Sequence, residues 1–162
     1  VAIDLILIRH GESEFNVGLT ADLNSKLTAN GVVQAQRVGD TLKERAVDGF
    51  EGIVSPYQRT RETARIITAV AGLPFSVDEA VREWGGTVTV DGREYPLEAI
   101  EDVVVRLRAF LDATRGRKLV MVSHAAPIAL LTELAADRAP IIAGRFWEGV
   151  ENGCFRAIER KR

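Results

Sequence analysis

Apolar and polar positions follow two rhythms along this chain. The runs Ile3–Ile8, Gly52–Ser55 and Lys118–Ser123 are short and rich in Ile, Val and Leu, with few polar interruptions. That pattern predicts strands covered on both faces. Between the runs, apolar residues recur at helical spacing: Ala35, Val38, Leu42 and Ala46; then Ala64, Ile67 and Val70; then Ile100, Val103, Leu107 and Leu111. Each set predicts an amphipathic helix whose apolar face lies on a sheet. Strands alternating with such helices predict an α/β fold: a three-layer α/β/α sandwich with a mostly parallel central sheet.

Local signals sharpen the boundaries. Thr28 is an expected N-cap for the first helix, and Pro127 falls where the first turn of a helix beginning after Ser123 tolerates proline. The stretch from Thr87 to Tyr95 alternates around Asp91-Gly92, which predicts a β-hairpin projecting from the domain. Cys154–Ile158 reads as a last strand, and Gly144 to Gly153 as a loop or a second short hairpin. With no internal repeat, linker or low-complexity tract, residues 1–162 are expected to form a single domain.

Composition narrows the class. A chain of 162 residues with 46% apolar and 27% charged residues fits one hydrophobic core. The lone Cys154 cannot form an internal disulfide and reads as a small buried hydrophobe. The run Ile3–Ile8 carries Asp4 and is too short to cross a bilayer or to form a signal-peptide core, so a cytoplasmic location is expected. A chain beginning at Val1 leaves a longer precursor open. A net charge of −2 with mixed signs argues against nucleic-acid or membrane partners. Arg156, Arg160, Lys161 and Arg162 form the one basic cluster, expected to be a solvated tail.

Candidate chemistry gathers at the strand ends. The chain has two histidines, and both His10 and His124 directly follow a predicted buried strand. In open α/β sheets ligands bind beyond the carboxyl ends of the strands, so both imidazoles point to one crevice. A lone strand-end histidine is more often structural; a pair at one edge carries more weight. The run Gly52–Ser55 ends at the same edge and leads into Arg59 and Arg61, of which Arg59 can reach the crevice while one of the two is a solvated surface residue. Arg9 follows an apolar strand directly, where an unpaired cation is costly to bury, so an anionic partner is expected.

Two arginines, two histidines and the free N–H groups of a helix beginning near Ala125 make an anion site suited to phosphate. Gly11 suits a tight turn that brings backbone close to the ligand, and Asn16 is either a neutral donor or a loop-stabilising side chain. No Gly-x-x-x-x-Gly-Lys-Ser/Thr, Gly-x-Gly-x-x-Gly or Gly-x-Ser-x-Gly occurs. No metal-ligand spacing stands out either, and arginines beside both strand ends would repel a cation, so no metal or cofactor is expected.

These residues resemble the histidine phosphatase superfamily, which includes the cofactor-dependent phosphoglycerate mutases. Arg9-His10-Gly11-Glu12-Ser13 with Asn16 is similar to its signature block. Leu27 to Gly31 with Gln34-Ala35, Ser55 to Ala64, Val122-Ser123-His124 and Asn152 resemble its later blocks in order and spacing. The resemblance implies that His10 becomes phosphorylated while Arg9, Arg59 and His124 hold the phosphoryl oxygens, with Asn16 assisting. It also implies a proton-donating glutamate shortly after the arginine block, which Glu83 in Val81–Gly85 matches, with Glu79 as a near competitor.

Two departures stand out. Alanines Ala125 and Ala126 follow His124 where the family usually has glycine, and the stretch from Glu83 to His124 is short for a mutase. The expectation is a phosphomonoesterase working without a metal through a phosphohistidine, with a small cap and a small phosphorylated substrate as partner. A mutase-type phosphotransferase, a protein phosphohistidine phosphatase and a non-catalytic phosphate-binding module are the alternatives, and a homo-oligomer stays open.

Overall fold

The computed structural model describes residues 3–161. Of the expected basic tail, Arg162 lies outside the described residues.

Among the described residues, seven strands and four helices follow one another in the order β1 (Leu5–Arg9), α1 (Ala29–Arg45), β2 (Phe50–Val54), α2 (Gln58–Ala71), β3 (Phe75–Val77), β4 (Thr87–Val90), β5 (Arg93–Pro96), α3 (Ile100–Ala113), β6 (Lys118–Ser123), α4 (Ala125–Ala135) and β7 (Phe155–Ile158). A 3₁₀ turn, Glu79–Val81, follows β3. The main sheet has five strands in the order β3-β2-β6-β1-β7. All pair in parallel except β7, which runs antiparallel to β1 at the edge. The three strands expected from their apolar runs are the three central ones.

Alternation along these strands separates two cores, because successive side chains point to opposite faces. Ile6, Ile8, Val54, Val120 and Val122 pack under α1 and α2 with Val38, Leu42, Ala64 and Ile67. Leu5, Leu7, Ile53, Leu119 and Met121 face α3 and α4 with Val103, Leu107, Ile128 and Leu131. The three-layer sandwich is therefore built as the helical spacings predict.

Thr28 caps α1, its hydroxyl accepting from the Gly31 N–H at 3.0 Å. Pro127 stands in the first turn of α4. The β4–β5 hairpin forms around Asp91-Gly92, with Val88, Val90 and Tyr95 exposed. The segment before β7 is a loop of turns and not a second hairpin.

Three details differ from expectation. Ala46 does not belong to the buried face of α1: the helix ends at Arg45, and Ala46 takes a left-handed conformation as its C-cap, exposed. Strand β1 starts at Leu5, and β2 begins earlier than expected, at Phe50. The half-exposed β3 and the 3₁₀ turn carry too few residues for a periodic signal. Among the described residues, no helix is long and apolar enough to cross a membrane.

What matters for the site is register. Arg9 pairs with Ser123 across β1 and β6, and Val54 pairs with Val122 across β2 and β6. His10, His124 and Ser55 therefore leave three adjacent strands at one level.

Candidate active site

Both histidines are buried, His10 at 1% and His124 at 0% exposure, with ring centroids 5.3 Å apart. Arg59, at the start of α2 and 3% exposed, lies between them. Its Nε donates to His10 Nε2 at 3.1 Å, and its Nη2 donates to His124 Nδ1 at 3.1 Å. A third donor, Nη1, goes to the Leu23 carbonyl.

These bonds fix the tautomers. Because His10 Nε2 accepts from Arg59, its proton sits on Nδ1, which donates to the Gly11 carbonyl at 2.7 Å. By the same logic His124 Nε2 carries a proton and donates to Ser55 Oγ at 2.7 Å. Burial holds His10 well below its ordinary pKa, and the Arg59 charge adds to this against the opposing Gly11 bond. Burial likewise lowers His124, followed by His10, Arg59 and Arg9. Both rings are neutral near pH 7.

Arg9 lies beside them, half-buried. Its Nη1 donates to the Val150 carbonyl at 2.6 Å, while its buried Nε has no hydrogen-bond partner among the described residues. Within the chain a backbone carbonyl answers Arg9, and among the described residues no carboxylate comes within ion-pair distance of it. The charge of Glu83 acts on it from farther away. A buried donor left open beside a second arginine suits an incoming anion.

Asn16 is exposed, and its Oδ1 accepts from the Ser13 N–H and hydroxyl and from Asn152 Nδ2. With the oxygen so engaged, the amide nitrogen is the end left to donate. Asn152 also donates to the His10 carbonyl at 3.2 Å, tying the loop before β7 to the turn that carries His10.

Glu83 places Oε2 at 3.5 Å from His124 Nδ1 and 3.7 Å from Arg59 Nη2. Burial raises its pKa; the Trp84 N–H bond and the charges of Arg59 and Arg9 oppose that rise. Glu79 is exposed in the 3₁₀ turn, and Arg61 is exposed on α2. Ala125 and Ala126 are buried in the first turn of α4, whose N-terminus has no side-chain cap. Among the described residues, no three His, Cys, Asp or Glu side chains gather closely enough to hold a metal ion.

Gly11 also meets a steric need that its place in a turn does not reveal. Its φ is not positive, and a Cβ there would meet the Gly31 carbonyl oxygen at 2.3 Å. The missing side chain admits the first turn of α1.

Sequence reasoning gave no role to three residues that touch the site. Ser55 Oγ accepts from His124 Nε2–H, Thr63 Oγ1 accepts from the Gly11 N–H, and the Tyr57 ring meets His124 edge-on at 5.1 Å. Ser55 and Tyr57 carry the signal that exposed the histidines, a polar side chain just past a buried strand; Thr63, one helical turn after Arg59, carries none.

Comparison with known proteins agrees with this architecture. A model of the histidine phosphatase superfamily (branch 1) matches residues 5–95. The chain is 30% identical to a probable phosphoglycerate mutase GpmB of Photorhabdus laumondii, covering 75% of this chain and 69% of that protein. It is also 30% identical to a probable phosphatase of Schizosaccharomyces pombe, covering 84% of this chain but only 58% of the yeast protein. Its fold matches the α-ribazole phosphatase of Shigella flexneri with a TM-score of 0.73 at 23% identity, over 96% of this chain and 89% of that one. With the family match spanning more than half of the chain, and with the mostly parallel sheet and its strand-end histidines in place, this protein belongs to the histidine phosphatase superfamily.

Proposed function

We propose that this chain is a phosphomonoesterase that needs no metal and acts on a small phosphorylated substrate through a phosphohistidine at His10. The observation that carries this reading is the locked tautomer of His10. Nδ1–H is spent on the Gly11 carbonyl, so the lone pair of Nε2 faces Arg59, which also binds His124. Phosphoryl transfer passes through a loose transition state with charge on three equatorial oxygens, and fixed cations stabilise it without covalent help. Arg59 turns its Nε and Nη2 from the imidazoles to those oxygens, and the open Nε of Arg9 takes another.

In the first half-reaction the His10 Nε2–phosphorus bond forms and the ester oxygen–phosphorus bond breaks, with the leaving oxygen taking a proton from Glu83. In the second, water attacks phosphorus, Glu83 takes its proton, and the phosphorus–Nε2 bond breaks to release phosphate. A carboxyl whose pKa is raised by burial serves both steps. Metal independence is supported by Arg9 and Arg59, which supply the positive charge a metal would otherwise bring and repel a cation from the same place.

The mutase reading draws on the name of the Photorhabdus relative. Against it stands the segment between Glu83 and His124, which holds only the β4–β5 hairpin, α3 and β6, a small cover for a phosphoenzyme that must exclude water.

Rapid quenching of turnover with a radiolabelled phosphate ester in excess chelator tests the proposal. The expected result is an acid-labile, alkali-stable phosphoenzyme that His10→Ala abolishes, followed by phosphate release to water rather than transfer to phosphoglycerate. Activity lost to chelation and restored by a divalent ion would refute the metal-free mechanism. Efficient interconversion of phosphoglycerate isomers would favour the mutase.

A further inference from the structure

Glu83 stands on irregular backbone between the 3₁₀ turn and the β4–β5 hairpin. A general acid must lie within hydrogen-bond reach of the oxygen it protonates, and free coil does not hold that position by itself. The hold comes from below. Arg106 of α3, 13% exposed at its side chain, donates Nη1 to the Ala80 carbonyl at 2.8 Å and Nη2 to the Glu83 carbonyl at 3.3 Å. Its Nε and Nη2 also donate to the two carboxylate oxygens of Glu98, at 2.9 and 3.2 Å.

Glu98 in turn accepts from the Gly85 N–H at 3.3 Å and from Arg82 Nη2 at 3.1 Å, and its own carbonyl receives the Trp84 indole N–H at 2.8 Å. The segment is thus gripped on both sides of Glu83, through the carbonyls of residues 80 and 83 and the amide of residue 85. Glu83 Oε1 is itself occupied by the Trp84 N–H at 2.9 Å, which leaves Oε2 to face His124 and Arg59.

We infer that Arg106 and Glu98 are positioning residues for the reaction: a half-buried guanidinium–carboxylate clamp that fixes the backbone of Glu83 so that one carboxylate oxygen addresses the leaving group. This rests on the reading of Glu83 as proton donor. Neither clamp residue has a hydrogen bond to the side chains of Arg9, His10, Arg59 or His124. A bidentate pair suits the task because its planar fork sets direction as well as distance, and misplacement of a catalytic group by about 1 Å costs on the order of 10²-fold. Arg106 also contributes a positive charge that acts on both Glu83 and His124.

The test is a double-mutant cycle read in single-turnover phosphorylation of His10, with an alkyl phosphate and a nitrophenyl phosphate compared. A nitrophenolate leaves without help; an alkoxide needs the proton. Arg106→Gln is expected to slow the alkyl ester about 10- to 100-fold and the aryl ester by less than about threefold. In a Glu83→Gln background, which has already lost the acid, adding Arg106→Gln is expected to change the alkyl rate by less than about threefold.

Equal losses on both esters, or the same alkyl loss in both backgrounds, would overturn the clamp. If Glu83→Gln alone shows no alkyl-selective loss, the proton-donor reading fails first and the clamp falls with it. Should Arg106→Gln not fold, Glu98→Gln keeps the shape and one acceptor for Arg106. It is expected to show the same alkyl-selective loss at smaller size, and equal losses there would again overturn the inference.

Discussion

Each imidazole of this site has one nitrogen engaged by a neutral acceptor and the other pointed at Arg59. For His10 that arrangement is what a nucleophile needs. His124 differs, because a lone pair on Nδ1 repels a phosphate dianion; to help hold phosphate while Nε2–H keeps its donation to Ser55, the ring must gain a proton there. Burial and the nearby cations keep it neutral in this structure, so the dianion itself has to supply the field that protonates it. Binding of inorganic phosphate, at a pH where the phosphate is already dianionic, is therefore expected to draw on the order of one proton per site from buffer. Calorimetry in buffers of different ionisation enthalpy measures this, and His124→Gln should largely abolish it. Proton uptake unchanged in that variant would place the proton elsewhere. The sequence exposed both histidines by their place after apolar strands, but not Ser55 as the acceptor that fixes His124, since that pairing joins β2 to β6 across a long stretch of chain.

Among elements, the contact that shapes the turn carrying His10 is that of the segment just after β1 with the first turn of α1. A Cβ on Gly11 would lie 2.3 Å from the Gly31 carbonyl oxygen, and one on Gly31 would lie 2.0 Å from the Glu12 carbonyl oxygen. Both clashes are with backbone, which cannot rotate aside. Thr28 reinforces the junction, capping α1 while its hydroxyl donates to Glu12 Oε1 at 2.7 Å. Gly11→Ala is expected to cost about 1–3 kcal/mol in chemical denaturation, the usual range for overpacking. It should also slow His10 phosphorylation, because the displaced turn carries the carbonyl that holds Nδ1. An alanine variant of full stability would mean that the two segments separate more easily than their contact implies. Thr28 and Pro127 were legible because caps are local chemistry. The end of α1 at Ala46 was not, because helical spacing continues past the residue at which the backbone turns left-handed.

For the molecule as a whole, burying two neutral histidines makes stability depend on pH. Below about 6.5 the unfolded chain binds protons that the folded one refuses, so the stabilisation present above that value is lost as pH falls. Glu83, raised by burial, runs the other way: its contribution is present below its ordinary carboxyl value and lost as pH rises through its folded one. One carboxyl does not cancel two imidazoles, so the melting temperature is expected to fall between about pH 7 and pH 5, and more gently in His124→Gln. A flat profile in the parent chain would contradict the buried neutral rings. The sequence by itself determined the layers, the three central strands and the residue types at their ends, because periodicity records which face of an element is covered. It also singled out Arg9, His10, Arg59 and His124 as neighbours at one edge, since that edge follows from strand direction alone. Only the tertiary structure decided the rest: that Glu83 rather than Glu79 reaches His124 and Arg59, that Arg9 is answered by the Val150 carbonyl, and that Arg106 and Glu98 grip the segment between them. Those contacts depend on register and on the path of irregular backbone, both set by packing between residues far apart in the chain.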